Sequence, residues 1–171
     1  MTSFLFSFRK SSVTLFVVAV ATLASASLAA APYPKEGKET WVHCFVGEGT
    51  FMAASKDSTF GSIHNSGLRF TLTEGGLGDG SAMDCIFQAS IDAKGISGPG
   101  YCVSVDADGD KMSLDFTDSN GSGKWKFLGG TGKYAGITGG GEYKPLRKFP
   151  AMMQQGKLGG CTSATGTYKL P

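Results

Sequence analysis

The sequence predicts an all-β chain, an antiparallel sandwich or a closed barrel, and three observations carry that expectation. Short segments in which β-branched and aromatic residues alternate with polar ones recur from Thr40 to Leu170. Turn-forming clusters separate nearly all of them: Lys56-Asp57-Ser58, Glu74 to Gly80 (EGGLGDG), Asp92 to Gly95 (DAKG), Asp106 to Asp110 (DADGD) and Asp118 to Gly123 (DSNGSG). Outside the N-terminal segment, no stretch keeps a helical apolar period for three turns.

Residues 1–29 read as a secretory signal. Arg9 and Lys10 supply a positive start, and Val13 to Leu23 (VTLFVVAVATL) an apolar core too short and wrongly flanked for a spanning helix. Ala24-Ser25-Ala26 or Ser27-Leu28-Ala29 fits a small-x-small cleavage site, which places the mature start near Ala30. Residues 30–171 then form a single domain, large enough to bury its own core. A secreted or periplasmic location follows, with no membrane attachment after cleavage.

The charge balance agrees with removal of this segment. Without Arg9 and Lys10 the sixteen basic residues fall to fourteen, matching fourteen acidic ones. No basic stripe remains for a nucleic-acid partner.

The strands are expected at Thr40 to Val46, Thr50 to Ala54, Gly67 to Thr73, Ala82 to Asp92, Gly100 to Asp106, Lys111 to Thr117, Lys124 to Leu128, Thr138 to Leu146 and Cys161 to Leu170. That is eight or nine strands. In the first of them Trp41, His43 and Phe45 share one face, and Val42, Cys44 and Val46 the other. Both faces are largely apolar, as suits a strand between a lumen and a second covered surface, such as a subunit contact. His43 is the better of the two histidines for acid–base work, although a histidine so placed is more often packed than catalytic. His64, in the polar run Gly61 to Ser66, reads as a solvated loop residue.

The four cysteines all fall in the mature part, and in an oxidising compartment an even number predicts two disulfides. The hairpin around Asp92 to Gly95 leaves the register open. With Ile91 opposite Ile96, Cys85 faces Cys102. A loop one residue shorter sets Met83, Cys85 and Phe87 against Val105, Val103 and Tyr101, a better apolar match, and turns Cys102 away. Three pairings are possible; Cys85 with Cys102 and Cys44 with Cys161 leads, since the first and last strands meet when a barrel closes. No C-x-x-C spacing is present, and neither a metal nor a cofactor is expected.

The glycine-rich run Gly129 to Gly141 is not a phosphate cradle. Lys133 is followed by Tyr134 rather than serine or threonine, and the later glycines disfavour the helix such a loop needs. The run reads instead as a tight corner in which Gly129, Gly130 and Gly132 take positive φ, Tyr134 anchors the wall, and the glycines from Gly136 on let a curved strand pass close to its neighbour. Asp106-Ala107-Asp108-Gly109-Asp110 has half the ligands of a calcium loop and reads as a hairpin with a type I′ turn at Asp108-Gly109. Arg147 to Lys157 (RKFPAMMQQGK) carries Phe149, Met152 and Met153 and reads as a lid, a subunit contact or a plain crossover.

The segment Gly129-Gly130-Thr131-Gly132-Lys133-Tyr134-Ala135-Gly136, after the aromatic strand Lys124 to Leu128 and before Thr138-Gly139, resembles the GGTG-x-(Phe/Tyr)-x-x-(Ala/Thr)-x-G segment of dirigent proteins. It is also similar to the glycine-rich stretch of allene oxide cyclases. The resemblance covers the C-terminal part of the chain and implies a calycin-like, eight-stranded antiparallel barrel with a hydrophobic lumen open at one end, here in a bacterial-type secreted member. It also implies a homo-oligomer, a trimer or dimer. The groups with which those families steer a reactive intermediate lie outside the matching segment, so no catalytic residue is carried over, and Tyr134 and the glycines are architectural in those families too.

Three functions fit this reading. A barrel that binds a small apolar ligand in its lumen comes first, with Trp41, His43, Phe45, Arg69 and Tyr101 as candidate lining residues. A cyclase or dirigent-type enzyme would need paired polar groups inside, sought among His43, Glu48, Tyr101 and Arg69. A structural or interaction barrel would fill its lumen with side chains.

Overall fold

The computed structural model describes residues 33–148 and 157–171. The signal segment and most of the Arg147 to Lys157 connection fall outside them. Among the described residues no helix is long and apolar enough to cross a membrane.

Eight antiparallel strands close into a barrel in chain order. They are β1 (Glu36–Ala53), β2 (Thr59–Thr71), β3 (Ser81–Asp92), β4 (Gly95–Val105), β5 (Lys111–Ser119), β6 (Ser122–Gly130), β7 (Thr138–Lys148) and β8 (Lys157–Lys169). Among the described residues a single 3-10 turn, Gly132–Tyr134, interrupts the strands. The expected break between Val46 and Thr50 is absent: β1 pairs with β2 without interruption from Trp41 opposite Thr71 to Ala53 opposite Thr59. For the same reason Gly61 to Ser66 is strand, not loop, and His64 projects from it into solvent opposite Glu48.

Inside-outside alternation sets the core. In β3, Ser81, Met83, Cys85, Phe87 and Ala89 are buried and the residues between them exposed. One end of the barrel is plugged by Leu77 from the β2–β3 connection and by Tyr134 and Ile137 from the β6–β7 corner, packed on Met112, Phe127 and Tyr168. At the other end lie the tight β3–β4 and β5–β6 turns.

The hairpin register is settled by the ladder. Ile91 faces Ile96 and Asp92 faces Gly95, which puts Cys85 opposite Cys102. Closure puts Cys44 opposite Cys161. Both pairs are disulfide-bonded. The Cys85–Cys102 bridge faces the lumen, whereas Cys44, between inward Trp41, His43 and Phe45, belongs to the outer face.

The glycine corner takes its shape from two different demands. Gly129, Gly132 and Gly136 have positive φ, at 148°, 51° and 74°. Gly130 does not, contrary to expectation. It is instead a point of close approach, where an added Cβ would stand 2.6 Å from the Tyr134 carbonyl oxygen and 2.7 Å from that of Lys111. Tyr134 is fully buried and donates its hydroxyl to Asp106 Oδ2 at 2.9 Å. Lys133 pairs with Asp106 and Asp108, and Asp110 Oδ2 accepts its backbone N–H, so the acidic loop braces the corner. The loop is not a type I′ turn, because Gly109 alone in it has positive φ. Asp106 Oδ1 instead accepts the backbone N–H groups of Asp108 and Asp110, a side-chain mimic of a turn.

The two bridges close loops of different length, 117 and 17 residues apart in sequence. Loop-closure entropy predicts that replacing Cys44 and Cys161 by alanine costs about 4 to 5 kcal/mol and replacing Cys85 and Cys102 about 3 kcal/mol. Urea denaturation of the two double variants, each against the oxidised parent, measures the difference.

Candidate functional site

The inward residues above the plug leave a cavity of about 370 Å³. It reaches the turn end of the barrel, where exposed Asn120 and its neighbour Gly121 join the lining. Every strand contributes to the wall.

Most of the wall is aromatic or aliphatic. Phe87 and Phe116 lie 5.9 Å apart, Phe116 and Tyr143 6.0 Å apart edge to face, and His43 and Phe45 5.3 Å apart. Deeper, the Trp41 and Trp125 rings meet edge to face at 5.8 Å. The Cys85–Cys102 bridge, Met83, Ile63 and Leu114 fill the space between.

Polar groups occupy three levels. At the turn end, Asp118 accepts the Tyr143 hydroxyl at 2.6 Å and the Gly121 backbone N–H at 2.9 Å, which pins the β5–β6 turn to β7. Burial and the Asp118 hydrogen bond push the Tyr143 hydroxyl well above the usual tyrosine range, so it stays a neutral donor. In the middle stand His43, 5% exposed, and Asn65. Neither His43 Nε2 nor Asn65 Oδ1 has a protein partner. Burial, joined by the Arg69 charge, lowers the His43 pKa to about 4; the Met83 backbone and Asp84 oppose this. The ring is therefore neutral at ordinary pH and a poor proton acceptor.

At the floor, Arg69 and Glu39 form a fully buried ion pair at 2.5 Å. The Arg69 guanidinium also lies 4.7 Å from the centre of the Trp41 ring. Burial raises the Glu39 pKa more than Arg69 lowers it. Neither residue lines the cavity, so the pair closes its floor from beneath.

The expected lining residues divide accordingly. Trp41, His43 and Phe45 line the cavity, and Arg69 lies beneath it against Trp41. Tyr101 does not: it is 59% exposed on the outer face, because the register that faces Cys85 with Cys102 turns Cys102 inward and Tyr101 out. Glu48, on the outward face of β1, is exposed as well. Sequence reasoning missed Trp125, Asn65, Asp118 and Tyr143. Trp125 was marked by exposed Lys124 and Lys126 on either side, and Asn65 was hidden by reading its strand as loop.

No protein-family model matches this chain, and no curated protein does. Among solved structures, a dirigent protein that is a pterocarpan synthase aligns over 80% of this chain and 87% of its own, at 11% identity and a TM-score of 0.47.

His43 generates a pH dependence of stability. Its pKa is lower folded than the ordinary 6.5, so the unfolded chain binds the proton more tightly. Stability from this group is complete above about pH 6.5 and falls as the pH drops towards 4, by about 3 kcal/mol in the limit. Glu39, with its pKa raised, acts in the opposite sense above its ordinary value of 4.5. Urea midpoints measured between pH 4 and 7 therefore decline on the acid side, and His43→Gln flattens the decline. The floor pair gives a second expectation. Arg69→Met alone strands a buried carboxyl and costs about 3 to 5 kcal/mol, whereas Glu39→Leu with Arg69→Met recovers much of the loss; thermal melts of the parent, single and double variants decide it.

Proposed function

We propose that this protein is an exported barrel that binds a small apolar molecule in its lumen. The observation that carries the reading is the cavity itself: about 370 Å³, walled by rings and aliphatic side chains, with neutral His43 in its middle and the deep charges paired beneath it. Side chains do not fill the barrel, which disfavours a purely structural lumen. Binding is favoured over catalysis because His43 is a weak base and the Asp118–Tyr143 pair already braces a turn. Two disulfides support the export reading, as such bridges persist in oxidising compartments.

Homo-oligomerisation, as a dimer or trimer, belongs to the same proposal. Leu68, Phe70, Ile86, Tyr101 and Val103 expose apolar surface on the outer wall of β2 to β4. Sedimentation velocity of the exported protein tests this directly, a monomer at micromolar concentration being the contrary result.

Both tryptophans of the chain, Trp41 and Trp125, line the cavity, so intrinsic fluorescence reports on the lumen. Native mass spectrometry of protein purified without detergent, followed by a fluorescence titration with an apolar probe such as tetralin, tests the proposal. Saturable quenching is expected. Thr162→Phe, which places a ring in the lumen wall, should weaken the probe about tenfold or more by steric exclusion. Full-strength binding in that variant, or none in the parent, counts against the lumen.

A further inference from the structure

Among the described residues that line the cavity, Asp118 alone carries a charge at neutral pH. His43 is neutral because burial lowers its pKa to about 4, the Tyr143 hydroxyl is held protonated by burial and its bond to Asp118, and Cys85 and Cys102 are bridged. No lysine or arginine is among them. The carboxylate also takes part in no ion pair among the described residues. Its charge is met by two neutral donors, the Tyr143 hydroxyl at Oδ2 and the Gly121 N–H at Oδ1. A carboxylate has about four lone-pair sites, so half of them stay open.

The register leaves that carboxylate within reach of a guest. Asp118 stands opposite Gly98 on β4 and Gly123 on β6, so neither flanking strand sets a side chain opposite it. Tyr143 reaches it across Gly123, where an added Cβ would stand 3.0 Å from Tyr143 Cε1. The residue is only partly buried, and it belongs to the turn end of the cavity. Just inside it, the Phe116 ring meets Tyr143 at 6.0 Å and Phe87 at 5.9 Å.

A lone carboxylate beside aromatic rings attracts an ammonium group through charge, hydrogen bonding and the ring quadrupole together. A metal ion fits poorly: it needs several hard ligands, and among the described residues no three His, Cys, Asp or Glu side chains gather to hold one. An ammonium held at the turn end keeps part of its hydration, which spares it the cost of full burial in the ring-lined depth. Resting on the lumen-binding reading, we propose that the lumen takes apolar amines, primary or secondary ammonium compounds of one or two rings, with the cationic head bound by Asp118 and the rings lying on Phe87, Phe116 and Leu114.

The test compares 2-aminotetralin, tetralin and tetralin-2-carboxylate, three molecules of one shape, by quenching of tryptophan fluorescence in the oxidised protein at pH 7 and low salt. The amine is protonated there, as a lysine side chain is. It is expected to bind about tenfold tighter than tetralin, as befits a hydrogen bond between charged groups, and the carboxylate more weakly than either. Asp118→Asn keeps the size of the side chain and an oxygen for the Gly121 N–H but removes the charge, so the ratio of amine to tetralin affinity should fall towards one. If that variant fails to fold, the Gly121 amide reports in its place. It donates to Asp118, and in a ¹H–¹⁵N spectrum of the parent the amine should shift it further than tetralin does. Amine and tetralin bound with equal affinity would overturn the amine assignment and leave lumen binding intact. An amine advantage that survives Asp118→Asn, or that leaves the Gly121 amide where tetralin puts it, would overturn the role of Asp118. Carboxylate bound tightest would overturn the proposal through the sign of the charge. If none of the three binds, the lumen reading falls and this inference with it.

Discussion

The seam between β1 and β8 is the constraint on which the rest of the molecule depends. β1 holds two partners at once: its residues Trp41 to Glu48 are paired with β2 on one side and β8 on the other. Opening that seam would create two edge strands and remove the wall that carries Trp41, His43 and Phe45. The Cys44–Cys161 bridge fastens the seam from outside, so it pins closure without occupying the lumen. The lining, the floor and the cavity volume all follow from keeping this one ladder in register.

Along the barrel axis, polarity is graded rather than scattered. The buried ion pair and the plug of Leu77, Tyr134 and Ile137 close one end, and the Asp118–Tyr143 contact stiffens the other. Between them lies a neutral, ring-lined section. A low-dielectric space of this kind strengthens any hydrogen bond made inside it and penalises any polar group left unpaired. That gradient also explains His43, whose depressed pKa comes first from its burial in this section and then from the guanidinium below.

Much of this was legible from the chain, and what was not has identifiable causes. The turn clusters coincide with the connections, since Gly, Asn and Asp at those positions serve backbone shapes that other residues resist. Alternation placed Trp41, His43 and Phe45 on one face, and the structure puts that face inside. Tyr101 was misread because one residue of register exchanges inside for outside, and apolar matching alone favoured the wrong choice. Arg69 and Glu39 are thirty residues apart and are not cross-strand partners, since Arg69 stands opposite His43; they meet as buried side chains, a contact no local pattern announces. Asn65 was lost because the polar residues of β2 resemble loop composition although they form a continuous strand.

The two disulfides stand in different environments, and that difference has a consequence for how the protein can be observed. Cys85–Cys102 forms part of the cavity wall, while Cys44–Cys161 does not touch it. A guest in the barrel would cover the inner sulfurs and leave the outer pair unchanged. Thiol exchange needs a direct approach to sulfur. The ratio of the two reduction rates is thus an internal clock of occupancy, in which the outer bridge supplies the reference and the inner one the signal.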